Sequence, residues 1–422
     1  MNLYFSAFAL VMVILLSGSG ASASASNGTA KSSDDALDQP LRIGLLRYLK
    51  GVKEITLQAG SDYDVMRNGS EDPLAACAKL EPVTISFCEK QLLIKLANGK
   101  NCRVDGVVTV QSSDDKAIFT VSSAGRTRRK YRGAIEVSAQ NGTLHVVNVV
   151  KMDDYLPGVL AGEMPSDFHI EALKTQAVAA RSYTIRQRRR HNDDGFDLCD
   201  NVHCHVYEGT IGERPAYLSA IAATAGQTLM HNGQVASIMY SADCGGVTES
   251  YADVDKHAVP YLICVTEPTG IAHKLWEKSF TLKELSAILV AAGVKQAKGL
   301  KSLSIERKTT SGRAAMVRVI GADGTTTVGG NTLRWAIGGT TIPSTLFTID
   351  VSDEGMVTFK GKGFGHGIGM CQIGANALAK PPFNYTYDQI LQHYYPTTTL
   401  ANACDTDTLA ASPLPDSGTT SN

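Results

Sequence analysis

The sequence predicts an α+β protein with a β-rich N-terminal region, and three observations carry that prediction. From Leu41 to about Val150, short β-branched runs alternate with turn-forming dipeptides. After Asp153 the texture changes to Ala-rich stretches with apolar residues at helical spacing. Strands then return between and beyond those stretches. With 422 residues, the chain has room for about two or three domains of roughly 100–200 residues each.

Each element has a local reason. Leu41-Arg-Ile-Gly-Leu-Leu, Ile55-Thr-Leu, Val83-Thr-Ile-Ser-Phe, Val107-Val-Thr-Val, Ile118-Phe-Thr-Val and Leu144-His-Val-Val-Asn-Val-Val read as strands, because branched side chains suit a pleated, half-buried surface. Asn68-Gly69, Asn98-Gly99 and Asn141-Gly142 read as hairpin turns, since both residue types tolerate positive φ. Ala172, Leu173, Ala177, Ala180 and Tyr183 fall on a helical repeat, and that helix is expected to run into Arg186–Arg190. A second helix covers Ala216 to Ala225 and is closed by Gly226. Strands follow through Gln227–His231 and Val235–Tyr240. A short helix is expected at Leu282–Gly293, a pair of strands at Leu303–Val328, and a last helix near Tyr387–Tyr395.

The ends read differently. Phe5–Leu16 is apolar but short of the ~20 residues a spanning helix needs, and the small residues Ala21–Ala25 offer A-x-A cleavage sites. Residues 1–25 are therefore expected to be a signal peptide, 26–40 a disordered leader and 401–422 a disordered tail. An uncleaved anchor is the other reading of the apolar run. With the signal peptide removed, no membrane span is expected, and the protein would be exported to the periplasm, the cell wall or the extracellular space. The region 41–143 is read as the β-rich part and 144–400 as the catalytic part. Forty basic and 41 acidic residues give a formal charge of −1, which supplies no field for nucleic acid.

Glu163, in Gly162-Glu163-Met164-Pro165, is the leading catalytic candidate. A carboxyl held among apolar neighbours in a loop would have its charged form disfavoured, which suits a general acid; a solvated loop glutamate is the plainer reading. Cys199, His203 and Cys204, with His191 upstream, are thiolate and imidazole ligands of the kind tetrahedral zinc takes. In an oxidising compartment the same nine-cysteine chain could instead pair Cys199 with Cys204, or either with Cys244 or Cys371. Ser241…Cys244-Gly245-Gly246 follows a strand, and consecutive glycines allow close backbone approach; a plain turn is the alternative. The run Gly361–Gly374 lacks both the G-x-G-x-x-G spacing and a following Gly-Lys-Ser/Thr, so it is no nucleotide loop. His366 and Gln372 in that run are candidate sugar contacts, with a satisfied structural histidine equally open. Arg181 and Tyr183 could serve core or groove.

Four ordered stretches carry a resemblance. Tyr155-Leu-Pro-Gly-Val-Leu-Ala-Gly-Glu-Met-Pro with Glu171–Tyr183, then Cys199–Gly209, Tyr240–Glu249 and Gly363–Ala375, followed by Ile390-Leu-Gln-His-Tyr-Tyr-Pro, resemble the stage II sporulation protein D (SpoIID/LytB) family over roughly Leu144 to Leu400. The resemblance implies a SpoIID-like core and lytic transglycosylase action on peptidoglycan glycan strands, with Glu163 as acid/base. It implies a structural zinc held by two cysteines and two histidines, here Cys199, Cys204, His203 and His191. It also places the segment with Tyr240, Ser241, Gly245 and Gly246 along the glycan groove, and Arg181, Tyr183, His366 and Gln372 are taken as further candidate substrate contacts. The other half of the family name implies a competing class, a non-catalytic wall-binding protein that enhances a separate amidase. A zinc amidase would need an open metal position, which this Cys/His set does not offer.

Overall fold

A computed structural model describes residues 39–402 apart from Lys256. The expected signal peptide, all of the leader before Gln39, the tail after Asn402 and Cys404 lie outside the described residues. Helices and strands are mixed, as the α+β expectation requires.

Two sheets, antiparallel except for one short edge strand, dominate the N-terminal part. One holds, in spatial order, Arg129–Arg132, Ile118–Ser122, Glu54–Ala59, Val83–Cys88, Gln91–Leu96 and Asn101–Val104. In Glu54–Ala59 the alternate residues Ile55, Leu57 and Ala59 are fully buried, the period-two signature of a one-sided strand. The other sheet runs Leu198–Cys199, Leu41–Gly44, Thr143–Val150, Ala134–Gln140, Val107–Gln111, Tyr63–Arg67 and Pro73–Cys77. Asn141-Gly142 joins two of these strands with φ of 47° and 81°, the mirror-image turn that matches strand twist. This hairpin spans residues 143 and 144, so one sheet continues across that point. Leu198–Cys199 pairs in parallel with Leu41–Gly44 and anchors the start of the cysteine loop on the sheet.

Two helices follow, and the first corrects an expectation. Met152–Glu163 is helical rather than a loop, and Glu163 is its last residue. Asp153 and Asp154 lie in its first turn, where acidic groups complement the helix dipole. The helix persists despite Pro157 because tertiary packing overrides propensity; Tyr155, Leu156, Val159 and Leu160 are fully buried. A Cβ on Gly162 would lie 2.5 Å from the Val206 carbonyl oxygen, so the cysteine loop presses directly on this helix. The long helix Ile170–Gln187 packs beside it, its start capped by His169, whose ring accepts the Glu171 N–H at 3.3 Å. It stops before Arg188 instead of running to Arg190, because Arg189 adopts φ of 73°.

A second hydrophobic core lies further along. Trp276, Leu285, Leu289, Val317, Val319, Phe347 and Phe359 are its centre. It is built from the sheet Leu275–Thr281, Met356–Lys362 and Phe347–Val351 and the sheet Ser302–Lys308, Ala314–Gly321 and Gly324–Gly329. The latter has three strands where the sequence suggested two, since Ala322-Asp323 makes a turn tight enough to return the chain. Helices Leu282–Ala291 and Gly330–Ile337 cover these sheets. This unit is inserted between Tyr240–Ser241 and Met370–Cys371, which pair in parallel within the first core. No helix among the described residues is long and apolar enough to cross a membrane.

Candidate active site and metal centres

Glu163 leaves the end of its helix half-buried, with its carboxyl surrounded by protein. Its Oε2 accepts a hydrogen bond from Gln372 Nε2 at 3.2 Å, and the same amide also donates to Gln176 Oε1 at 3.3 Å. Burial pushes its pKa up to about 7, opposed only by the Gln372 amide and the Val206 N–H. No neighbouring charge enters that balance, so the shift is a desolvation effect. A carboxyl poised near neutrality can both give and take a proton.

An aromatic layer flanks the carboxyl. Tyr240 lies close enough for the Glu163 charge to act on its phenol. His205 stacks on Tyr240, and its ring lies 4.4 Å from that of Tyr183. The Tyr155 hydroxyl and His205 Nδ1 are hydrogen-bonded at 3.2 Å. Burial holds His205 down to about 3, so this ring is neutral. The Tyr240 hydroxyl, His205 Nε2 and Gln176 Nε2 are buried with no hydrogen-bond partner, and unsatisfied buried groups of this kind call for a reason.

His191, Cys199, His203 and Cys204 come together as the spacing suggested, with one ligand atom from each within 4.8 Å of the others. His191 Nδ1 is 2.8 Å from Asp194 Oδ2 while its Nε2 faces His203 Nδ1 at 3.1 Å. A carboxylate on the outer nitrogen is the usual way a ligating imidazole is oriented. Contact with Cys204, then with His191 and His203, outweighs burial and draws the Cys199 thiol down. The two thiolates and two imidazoles fit a closed tetrahedral zinc site. All eight described cysteines are free thiols.

The remaining sequence candidates divide. Gln372 and Tyr240 join Glu163, and Tyr183 reaches the same layer through His205 while its hydroxyl accepts from Arg190 at 3.1 Å. Ser241 is buried, pairs with Cys371 along the strand, and its Oγ has no partner. Arg181 is engaged elsewhere: its guanidinium donates to the Thr224 and Gln227 carbonyls at 2.8 and 3.0 Å, which ties off the helix Pro215–Ala223. His366 Nδ1 accepts the Ile368 N–H at 3.0 Å, and burial followed by the charges of Arg334 and Arg313 lowers it to about 4. The ring is therefore neutral and turned onto its own loop. Gly245 donates its N–H to Asp243 and Gly246 donates to Cys244 Sγ, so both shape a second group of donors, Cys244, Glu267, His273 and Cys371. Gln176 and Val206, which complete the Glu163 surroundings, were not singled out from the sequence. Both lie inside stretches that carry the resemblance, which was the available signal.

The chain is thus a mixed α+β protein that presents a half-buried glutamate and a Cys/His cluster, and comparison with known proteins places it in a family. Residues 140–231 match the family described as Stage II sporulation protein, and residues 256–369 match a domain of unknown function (DUF8618). An uncharacterized protein of Brachyspira hyodysenteriae is 34% identical over 63% of this chain and 71% of its own length. The stage II sporulation protein D of Bacillus subtilis is 30% identical over 61% of this chain and 76% of its own length. The Bacillus subtilis amidase enhancer is 31% identical over 58% of this chain, but only 40% of its own length is covered. The chain belongs to the stage II sporulation protein D family.

Proposed function

We propose that this protein is an exported peptidoglycan lytic transglycosylase that cleaves the bond between N-acetylmuramic acid and N-acetylglucosamine, with Glu163 as its single acid/base. The observation that carries the reading is a half-buried glutamate raised to about 7 by desolvation, with no charged neighbour contributing. Ordinary glycosidases divide the work between two carboxylates. Here the protonated Glu163 gives its proton to the leaving glycosidic oxygen as the C1–O bond breaks. The muramyl C6 oxygen then bonds to C1, and Glu163 takes the proton from that hydroxyl. The carboxyl ends as it began, no water is consumed, and the product carries a 1,6-anhydro ring. Gln372 and the Val206 N–H orient the carboxyl, while the unsatisfied Tyr240, Gln176 and His205 atoms are polar groups a sugar chain could meet.

Zinc suits the Cys199 cluster as a structural ion held by Cys199, Cys204, His191 and His203. Bound there, it supplies order to a loop rather than chemistry. Val206, two residues beyond Cys204, is the part of that loop pressed on the Glu163 helix. The apolar run Phe5–Leu16 supports export, where the glycan is found.

The similarity to the amidase enhancer favours a second reading, a non-catalytic partner of a wall amidase. Incubation of the protein with purified glycan strands separates the two. Anhydro-muramyl ends that disappear in Glu163→Gln support the first. Unchanged glycan, with faster stem-peptide cleavage only when an amidase is added, supports the second.

A further inference from the structure

We propose that Cys244, Glu267, His273 and Cys371 form a second metal site, tetrahedral and suited to a divalent cation of the zinc class, where the inserted unit joins the core. One ligand atom from each lies within 4.8 Å of all the others. Two thiolates, an imidazole and a carboxylate are donors that zinc takes at ~2.0–2.3 Å.

The surroundings are built for such an ion. His273 Nδ1 is 2.7 Å from Oδ1 of Asp243, a residue only 1% exposed, which leaves Nε2 to face the two sulfurs and Glu267. A carboxylate behind a ligating histidine fixes ring and tautomer in metal centres. On the other side, Glu267 Oε1 accepts the Tyr394 hydroxyl. Its Oε2 is completely buried and lies 3.0 Å from His273 Nε2, within ion-pair distance but without the alignment of a hydrogen bond.

The sulfurs are prepared in the same way. Cys371 Sγ accepts the N–H groups of Cys244 and Gly374 at 3.2 and 3.3 Å, and Cys244 Sγ accepts that of Gly246 at 3.3 Å. These N–H groups are aimed at the sulfurs and hold them in place beside Glu267 and His273. A Cβ on Gly374 would lie 1.7 Å from Glu267 Oε1, so glycine is required there to admit the carboxylate.

Position gives the site a structural purpose. His273 precedes the strand Leu275–Thr281, by which the chain enters the inserted unit. The Gly363 N–H, where the chain returns, donates to the Lys274 carbonyl at 2.9 Å. Cys371 is adjacent to Gln372, the partner of Glu163. A cation here ties both crossings to the strand that delivers Gln372. As it binds, each cysteine and the His273 Nε2 give their protons to solvent.

The test uses the full chain, purified without chelator, and reads metal and thiols instead of glycan cleavage. Cys199→Ser/Cys204→Ser removes the first cluster; the proposal expects this protein still to hold a single zinc and to take up a single cobalt(II) with thiolate charge-transfer absorption. Adding His273→Asn abolishes both. Should that background fail to fold, His273→Asn alone lowers the zinc count of the otherwise unaltered protein by one, with circular dichroism as the control. A zinc count that His273→Asn leaves unchanged in a folded protein overturns the proposal. So does a Cys244–Cys371 disulfide in peptides mapped under non-reducing conditions.

Discussion

Glu163 and Glu267 are two glutamates packed into the same core with opposite electrostatic outcomes. Burial pushes both toward the neutral acid. At Glu163 only a neutral amide and one backbone N–H oppose it, and the pKa rises to about 7. At Glu267 burial is the largest influence too, but the contacts and charge of His273, with Tyr394 and Cys244, outweigh it and bring the pKa below the usual range. Burial sets the direction only when partners are few. One carboxyl is thereby left able to exchange a proton, and the other is committed as a charged ligand. Cys371 and Gln372, adjacent in sequence, connect the two.

Replacing the first carboxyl is expected to have the largest effect. Glu163→Gln keeps the shape and removes the proton, so glycan cleavage should fall by ~10²–10⁴-fold, with folding unchanged, as followed by the release of anhydro-muramyl ends. Asp243→Asn attacks the other side of the comparison by removing the support behind His273. Zinc retention against a competing chelator should weaken by ~10–100-fold at the Cys244 cluster alone.

The pH profile sharpens the contrast. Glu163 is raised in the folded protein, so its acid form, and the stability that form contributes, is fully present below the unfolded value near 4.5. Both decline as pH rises through about 7. Cleavage should therefore fall on the alkaline side of neutrality. Gln372→Ala removes a hydrogen bond that lowers the pKa, so that limb should move to higher pH, which a rate–pH profile would show. Tyr394→Phe, which removes one hydrogen bond from charged Glu267, is expected to leave cleavage chemistry alone. Thermal unfolding should report a loss of about 1.5–3 kcal/mol, with the alkaline limb of cleavage unmoved.

The two metal candidates explain how much of the site could be read in the sequence. Cys199, His203 and Cys204 sit on one short loop with His191 close before it, so spacing alone exposes the cluster. Cys244 and Cys371 are 127 positions apart, and Glu267 and His273 sit in no motif. Only the parallel pairing of Tyr240–Ser241 with Met370–Cys371 assembles them. The hairpins at Asn98-Gly99 and Asn141-Gly142 were legible because turn chemistry is local. The helix ending at Glu163 was not, since Pro157, Gly158 and Gly162 argue against a helix that packing against Tyr207 and Val206 nevertheless imposes. Arg181 was open between core and groove in the sequence, because only the folded chain brings the Thr224 and Gln227 carbonyls to its guanidinium.

The central claim is that Glu163 works alone and without water. Digesting purified glycan strands in ¹⁸O-labelled water and weighing the new muramyl ends tests it most directly. The account predicts 1,6-anhydro ends with no incorporated label, absent in Glu163→Gln. Reducing ends carrying ¹⁸O would show that water attacks C1, and would contradict it.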